Sequence, residues 1–174
     1  MVSARINLDH FFDPNEKRIR VAFIKFCGMA TGGTEKVLGV PFPKADKTKR
    51  WPMISAKKDF WETLEWMPGA KRMWSFIDKY DSHILSAYST KDANSRKGKM
   101  NWLRTNAKLT QKSRIHLVMR EDKQKYAMTT DGKPNLLIDD YIKNVNEWKA
   151  RGGIGVHHTS PSDTIAQLKR LGFK

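Results

Sequence analysis

From Pro68 to the carboxyl end, short apolar runs alternate four times with amphipathic stretches, and this alternation limits the possible folds more than any other feature. Met73, Phe76, Ile77 and Tyr80 recur at i, i+3, i+4 and i+7, which makes one apolar helix face after Pro68, a residue suited to the first helical position. Asp81-Ser82 breaks that helix, and His83–Tyr88 then predicts a strand. A helix is expected from about Ser95 to Asn106, with Trp102 and Leu103 inside, followed by a strand over Arg114–Met119. The polar stretch Arg120–Pro134 carries the turn signal Asp131-Gly132. Asn135–Ile138 is the next expected strand, and a helix with Ile142, Val145 and Trp148 on one side runs to Gly152-Gly153. Ile154–Val156 predicts a short strand. Ser160, Pro161 and Asp163 form a helix start that resembles a capping box, ahead of an apolar face of Ile165, Leu168 and Leu171. Strands separated by helices favour an α/β sandwich with a parallel sheet and right-handed crossovers.

The first 67 residues are less regular. Arg5–Phe12 and Arg20–Phe26 are strand candidates, Gly28–Gly33 is loop-like, and Thr34–Leu38 suits a short helix. Asp59–Trp66 is aromatic-rich and expected to be helical. A length of 174 residues suits one domain. The expected organisation is a single domain over 1–174, with about 34–67 as a small cap or insertion over the sheet edge.

Leu136-Leu137-Ile138 ends abruptly in Asp139-Asp140. Functional groups sit just past the carboxyl ends of strands in a parallel sheet. Two adjacent carboxylates repel unless cations neutralise them, and a hard ion such as Mg²⁺ prefers carboxylate oxygen. A solvated Asp-Asp turn is the plain alternative. The net charge of +15 predicts attraction to anions, which include nucleotides, phosphate esters and nucleic acid. Lys44–Arg50 and Arg96–Lys99 are locally dense in positive charge. Apolar residues make up 39%, enough for a sizeable core, yet no run reaches the 18 residues or so needed to cross a bilayer. No signal-peptide pattern follows Met1, and a lone Cys27 excludes an internal disulfide, so a reducing, cytoplasmic setting is expected. His157-His158 resembles a metal pair, but neighbours on a strand point to opposite faces, so a structural role is expected.

Five stretches occur in an order that is familiar: Asp59–Ala70, Ile84-Leu85-Ser86-Ala87, Arg120-Glu121-Asp122-Lys123, Leu136–Asp140 and Trp148–Gly155. Together, over about Lys49 to Lys174, they resemble the haloacid dehalogenase-like phosphohydrolases, and within them the small 5'(3')-deoxyribonucleotidase-like proteins of phages and bacteria. The resemblance implies a Rossmann-like three-layer sandwich with a central parallel sheet. It also implies a Mg²⁺-dependent phosphatase site that works through a phosphoaspartate. Ser86 matches the hydroxyl that binds a phosphoryl oxygen, with Ala87 beside it; Lys123 matches the lysine that steadies nucleophile and phosphate. Asp139 and Asp140 match the acids that bind or orient the metal. Such roles suit phosphoryl transfer, which depends on positioning and charge neutralisation.

One family motif is missing. The resemblance calls for Asp-x-Asp at the end of the first strand, where the first Asp is the nucleophile and a metal ligand. Asp9 ends a plausible strand, but Phe11 stands at the second acid's position, and the strand candidate Val21–Phe26 carries Lys25 where an acid is wanted. Two classes of function therefore stay open. One is a phosphatase acting on a (deoxy)nucleoside monophosphate or similar ester, with Asp9 as a divergent nucleophile. The other is an inactive relative that binds nucleic acid or a protein, using its positive charge and Trp51, Trp61 and Trp66. An N-terminal sequence altered relative to its relatives, between about Val2 and Gly33, also accounts for the missing motif.

Overall fold

The structure, a computed structural model, describes residues 22–24, 30–31, 33–41 and 44–174. The strand expected at Arg5–Phe12, and with it Asp9, lies outside the described residues, as does Cys27.

Five strands form one parallel sheet: β1 (Ala22–Ile24), β4 (His83–Ala87), β5 (Ile115–Val118), β6 (Leu136–Asp139) and β7 (Ile154–His157), in the order β5-β4-β1-β6-β7. A second, two-stranded antiparallel sheet pairs β2 (Ala30–Thr31) with β3 (Glu65–Trp66). The class is α/β, as the alternation predicts.

Period-two alternation decides which side chain covers which face of a strand. Ile84, Ile115, Leu117, Leu136, Ile138 and Val156 join one core with Met73 and Ile77 of α3 (Ala70–Asp78). Trp102 and Leu103 of α4 (Asn94–Asn106), and Ile165 and Leu168 of α6 (Pro161–Arg170), complete that core. The intervening Leu85 and Leu137 face the other way, where they meet Ala127 and Trp148 of α5 (Ile142–Ala150). Apolar packing thus covers both faces, as a parallel sheet requires. Each fully buried Ile, Leu or Met contributes roughly 1.5–3 kcal/mol.

Local signals set the helix ends. Ser160 Oγ accepts the Asp163 N–H at 3.2 Å, with Pro161 in the first turn. α3 begins at Ala70 rather than Pro68, because Gly69 takes a left-handed φ of 75° that only glycine adopts freely. In α5 the inward face differs from expectation. Ile142 is 48% exposed, whereas Asn144, Val145 and Trp148 are buried.

Asp59–Trp66 is not a helix. It is a run of turns ending in β3, and Trp61 Nε1 donates to Asp92 Oδ2 at 2.5 Å while Trp102 Nε1 donates to the Leu64 carbonyl at 2.7 Å. These long-range bonds to α4 and the turn before it override a weak local preference. The preceding segment holds two short helices, α1 (Gly33–Leu38) and α2 (Arg50–Ala56), which contact each other. Arg120–Tyr126, expected as polar loop, forms a 3-10 helix that buries Lys123.

Candidate functional site

Since neighbouring strands are parallel, their carboxyl ends open on one edge of the sheet. Ile24 of β1 is level with Ile84 on one side and Ile138 on the other. One residue further along, Asp139 is level with Leu85, and Ser86 with Asp140. β4 and β6 lie two strand spacings apart, about 9–10 Å. The register therefore brings the Ser86 and Asp139-Asp140 positions to one edge, on either side of the line of β1.

Asp139 is the anchor of this edge. Its carboxylate has no solvent exposure and takes three donors: Lys123 Nζ at 2.7 Å and Asn144 Nδ2 at 2.9 Å on Oδ2, and the Tyr141 N–H at 2.8 Å on Oδ1. A buried charge needs such pairing, because an uncompensated one costs several kcal/mol. The 3-10 helix after β5 delivers Lys123, and the first turn of α5 delivers Asn144. Arg120 Nη1 donates to Asn144 Oδ1 at 3.2 Å and to Glu147 Oε2 at 2.8 Å, which fixes the amide facing Asp139. Lys125 plays no part in this cluster. It is largely exposed and pairs with Asp122 at 2.6 Å.

Asp140 is exposed at the strand tip. His157 Nε2 lies 3.1 Å from its carbonyl oxygen, and the His158 N–H donates to the Asp139 carbonyl at 3.0 Å. His158 is buried and bonds Thr164 Oγ1 through Nδ1 at 2.6 Å. Burial lowers its pKa, so its neutral form is favoured. Both histidines thus brace the loop after β7, in line with a structural role.

Ser86 is 1% exposed, and its hydroxyl donates weakly to the Ala87 carbonyl at 3.4 Å. The Ala87 carbonyl also receives Lys99 Nζ at 2.5 Å, and that ammonium lies 4.7 Å from the centre of the Trp61 ring. Trp61 in turn holds the buried Asp92, whose Oδ1 accepts the Asn94 N–H at 3.0 Å. The 57–63 turns are thereby tied to the loop that follows Ser86.

The described residues fit a magnesium ion in one respect. Mg²⁺ is ordinarily held by one or two carboxylates, with waters and substrate phosphate completing its shell. Asp140 is the exposed carboxylate at this tip, whereas Asp139 is fully buried with both oxygens bonded, so it orients the tip rather than facing the ion. Among the described residues no group of three His, Cys, Asp or Glu side chains comes together as a closed metal cage.

Lys99, Asn144 and Arg120 are parts of this edge to which the sequence reading gave no role. Asn144 carried a signal: it is a polar side chain next to Val145 in an otherwise apolar helix face. Lys99 carried none, as one basic residue in the dense run Arg96–Lys99.

A second histidine pair sits at the opposite, amino-terminal side of the sheet. His83 Nδ1 and His116 Nε2 are 2.9 Å apart, with rings stacked at 5.1 Å. Burial first, and then the neighbouring ring's charge, push the pKa of His83 down to about 4, and burial lowers that of His116.

No known protein family matches the chain, and no curated protein matches it either. Among solved structures it is similar to a hydrolase from Pseudomonas syringae, with a TM-score of 0.44 and 15% identity over 87% of this chain and 90% of that one. At this similarity no residue role passes from that protein to this chain.

Proposed function

We propose that the carboxyl edge of the sheet binds the phosphate of a (deoxy)nucleoside monophosphate or a similar small ester. In this reading the protein is a Mg²⁺-dependent phosphatase of 5'-nucleotidase type, built on a Rossmann-like three-layer sandwich of the haloacid dehalogenase-like kind. The observation that carries it is the buried Lys123–Asp139 pair at the tip of β6, one residue before Asp140, whose position is level with Ser86 across β1. A lysine and two carboxylates at one edge of a parallel sheet is the charge pattern that phosphoryl transfer requires.

Ser86, with the Ala87 backbone beside it, would hold a phosphoryl oxygen, and Lys123 would set the charge at the inner wall. Asn144 and Arg120 would keep Asp139 oriented. Asp140 would hold the Mg²⁺ and the buried Asp139 would orient the strand tip that presents it; the ion when bound supplies neutralisation of the phosphoryl oxygens. Asp9 is the proposed nucleophile. Its carboxylate would attack phosphorus, the nucleoside oxygen would leave and take up a proton, and water would then release phosphate from the aspartyl phosphate.

A second reading has its own support. The strand lying between β4 and β6 is Ala22–Ile24, and the sequence continues Lys25-Phe26-Cys27, without a carboxylate. On that reading the edge keeps its ligand but does not turn it over, and the protein acts as a binding module for nucleic acid or a protein. Phosphate release from a nucleotide panel with Mg²⁺, run beside calorimetric binding of dTMP, separates the two. Turnover lost in Asp9→Asn and in Ser86→Ala supports the phosphatase. Binding without turnover supports the module, and absence of both for every nucleotide tested sinks the nucleotide site.

A further inference from the structure

The described surface next to this edge is basic. α2 ends at Ala56 and is followed by Lys57-Lys58, and Ser55 Oγ donates to the Lys91 carbonyl at 3.2 Å. Trp61 reaches Asp92 from the same segment. These two bonds bring Lys57 and Lys58 to the loop that carries Lys91, and α4 begins immediately after it with Arg96 and Lys97. All five side chains are exposed, and none is ion-paired among the described residues. Asp59 and Glu62 are exposed acids of this stretch, Glu62 accepting from Asn101 Nδ2 at 2.9 Å, whereas Asp92 is buried and spends its oxygens on Trp61 and Asn94. The loop starts at Tyr88, one residue beyond Ala87 and two beyond Ser86. Tyr88 is half-buried, and the Arg96 guanidinium lies 5.6 Å from its ring centre.

Resting on the nucleotide-site reading above, we infer that the substrate or ligand is the terminal phosphate of a single-stranded nucleic acid. Lys57, Lys58, Lys91, Arg96 and Lys97 hold the phosphates of the following nucleotides, and Tyr88 offers a face for a base. A mononucleotide has one phosphate group, whereas five exposed cations stand beside this edge of the sheet. A strand supplies a row of charges at regular spacing, and its unstacked bases suit a ring flanked by arginine.

The test is fluorescence anisotropy of a dye-labelled thymidine 12-mer, with or without a phosphate on the end opposite the dye. It is run from 50 to 200 mM salt on the full chain, with dTMP binding measured in parallel. The expected result is that the phosphorylated 12-mer binds at least tenfold more tightly than either dTMP or the unphosphorylated strand. Lys57→Glu/Lys58→Glu/Lys91→Glu, all surface changes, should lose tenfold or more for the strand and leave dTMP binding unchanged. The slope of log affinity against log salt should become shallower by about 2, at about 0.7 for each phosphate contact on a single strand. Tyr88→Ala should weaken strand binding with the salt slope unchanged. A triple variant that binds the strand like the parent overturns the inference. So does equal binding of the two 12-mers, or capture of phosphatidylserine vesicles without strand binding. A parent that ignores dTMP yet binds strands through the three lysines overturns the nucleotide site at the sheet edge and leaves the basic surface standing.

Discussion

Lys123 shows how a position that its residue type alone does not distinguish, and that only its place in a familiar motif marks, becomes decisive in a fold. It is one of 33 basic residues, yet it is 2% exposed and meets a carboxylate with no exposure at all. Lys123→Met should destabilise the protein by about 3–5 kcal/mol, because it strands the Asp139 charge in the interior. The double variant Lys123→Met/Asp139→Leu should recover much of that loss, as urea titrations would show. Destabilisation below 1 kcal/mol in the single variant would mean that Asp139 is not dependent on the lysine. The histidine pair makes a prediction of a different sign. Folded His83 has a pKa near 4 against an ordinary 6.5, so between these values the unfolded chain binds more protons than the folded one. Stability is therefore full above about pH 6.5 and falls as the pH drops toward 4. The loss should be about 1–2 kcal/mol once the ring's partial exposure is allowed for. His83→Asn should flatten this part of the stability–pH curve; an unchanged curve would remove the pair as its cause.

At the scale of elements, the contact between α4 and the 57–63 turns is tight. A Cβ on Gly98 would stand 2.6 Å from Trp61 Cβ, closer than real side chains approach. Gly98→Ala must push Trp61 away and disturb its bonds with Asp92 and Lys99. A cost of about 1–3 kcal/mol is expected by thermal or urea unfolding, even though alanine is the better helix former. Retention of full stability would show that the turns are loosely held. Strands and helices after Pro68 were legible in the sequence because their apolar periods agree with their tertiary roles. The α4 helix begins at Asn94 where Ser95 was expected, and the Ser160 cap forms as its residues suggest. The misread segment, Asp59–Trp66, is one whose shape is set by partners 31 and 38 residues away, which no local pattern records. Similarly, Asp139 and Asp140 were legible as a strand tip and Asn144 as a polar break in an apolar helix face, while Lys99 was not, because its role depends on contacts across elements.

For the whole molecule, charge is the property the sequence displays and the fold organises. A net charge of +15 predicted anionic ligands. What the fold adds is where some of those charges lie, beside the loop after Ser86. Any anion captured there should be released by salt, and dTMP affinity should fall less steeply with ionic strength than that of a strand. Calorimetry at 50 and 200 mM salt would check this; identical slopes would place both ligands on the same few charges. The sheet order has a further outcome for how the chain matures. β1 is made first but ends up in the middle, with one neighbour more than 55 residues downstream and the other more than 110. During synthesis its backbone must wait for both, and a ribosome that stalls before Leu136 releases a chain whose middle strand lacks its second flank. Such fragments should aggregate, and the complete protein should fold slowly for its size.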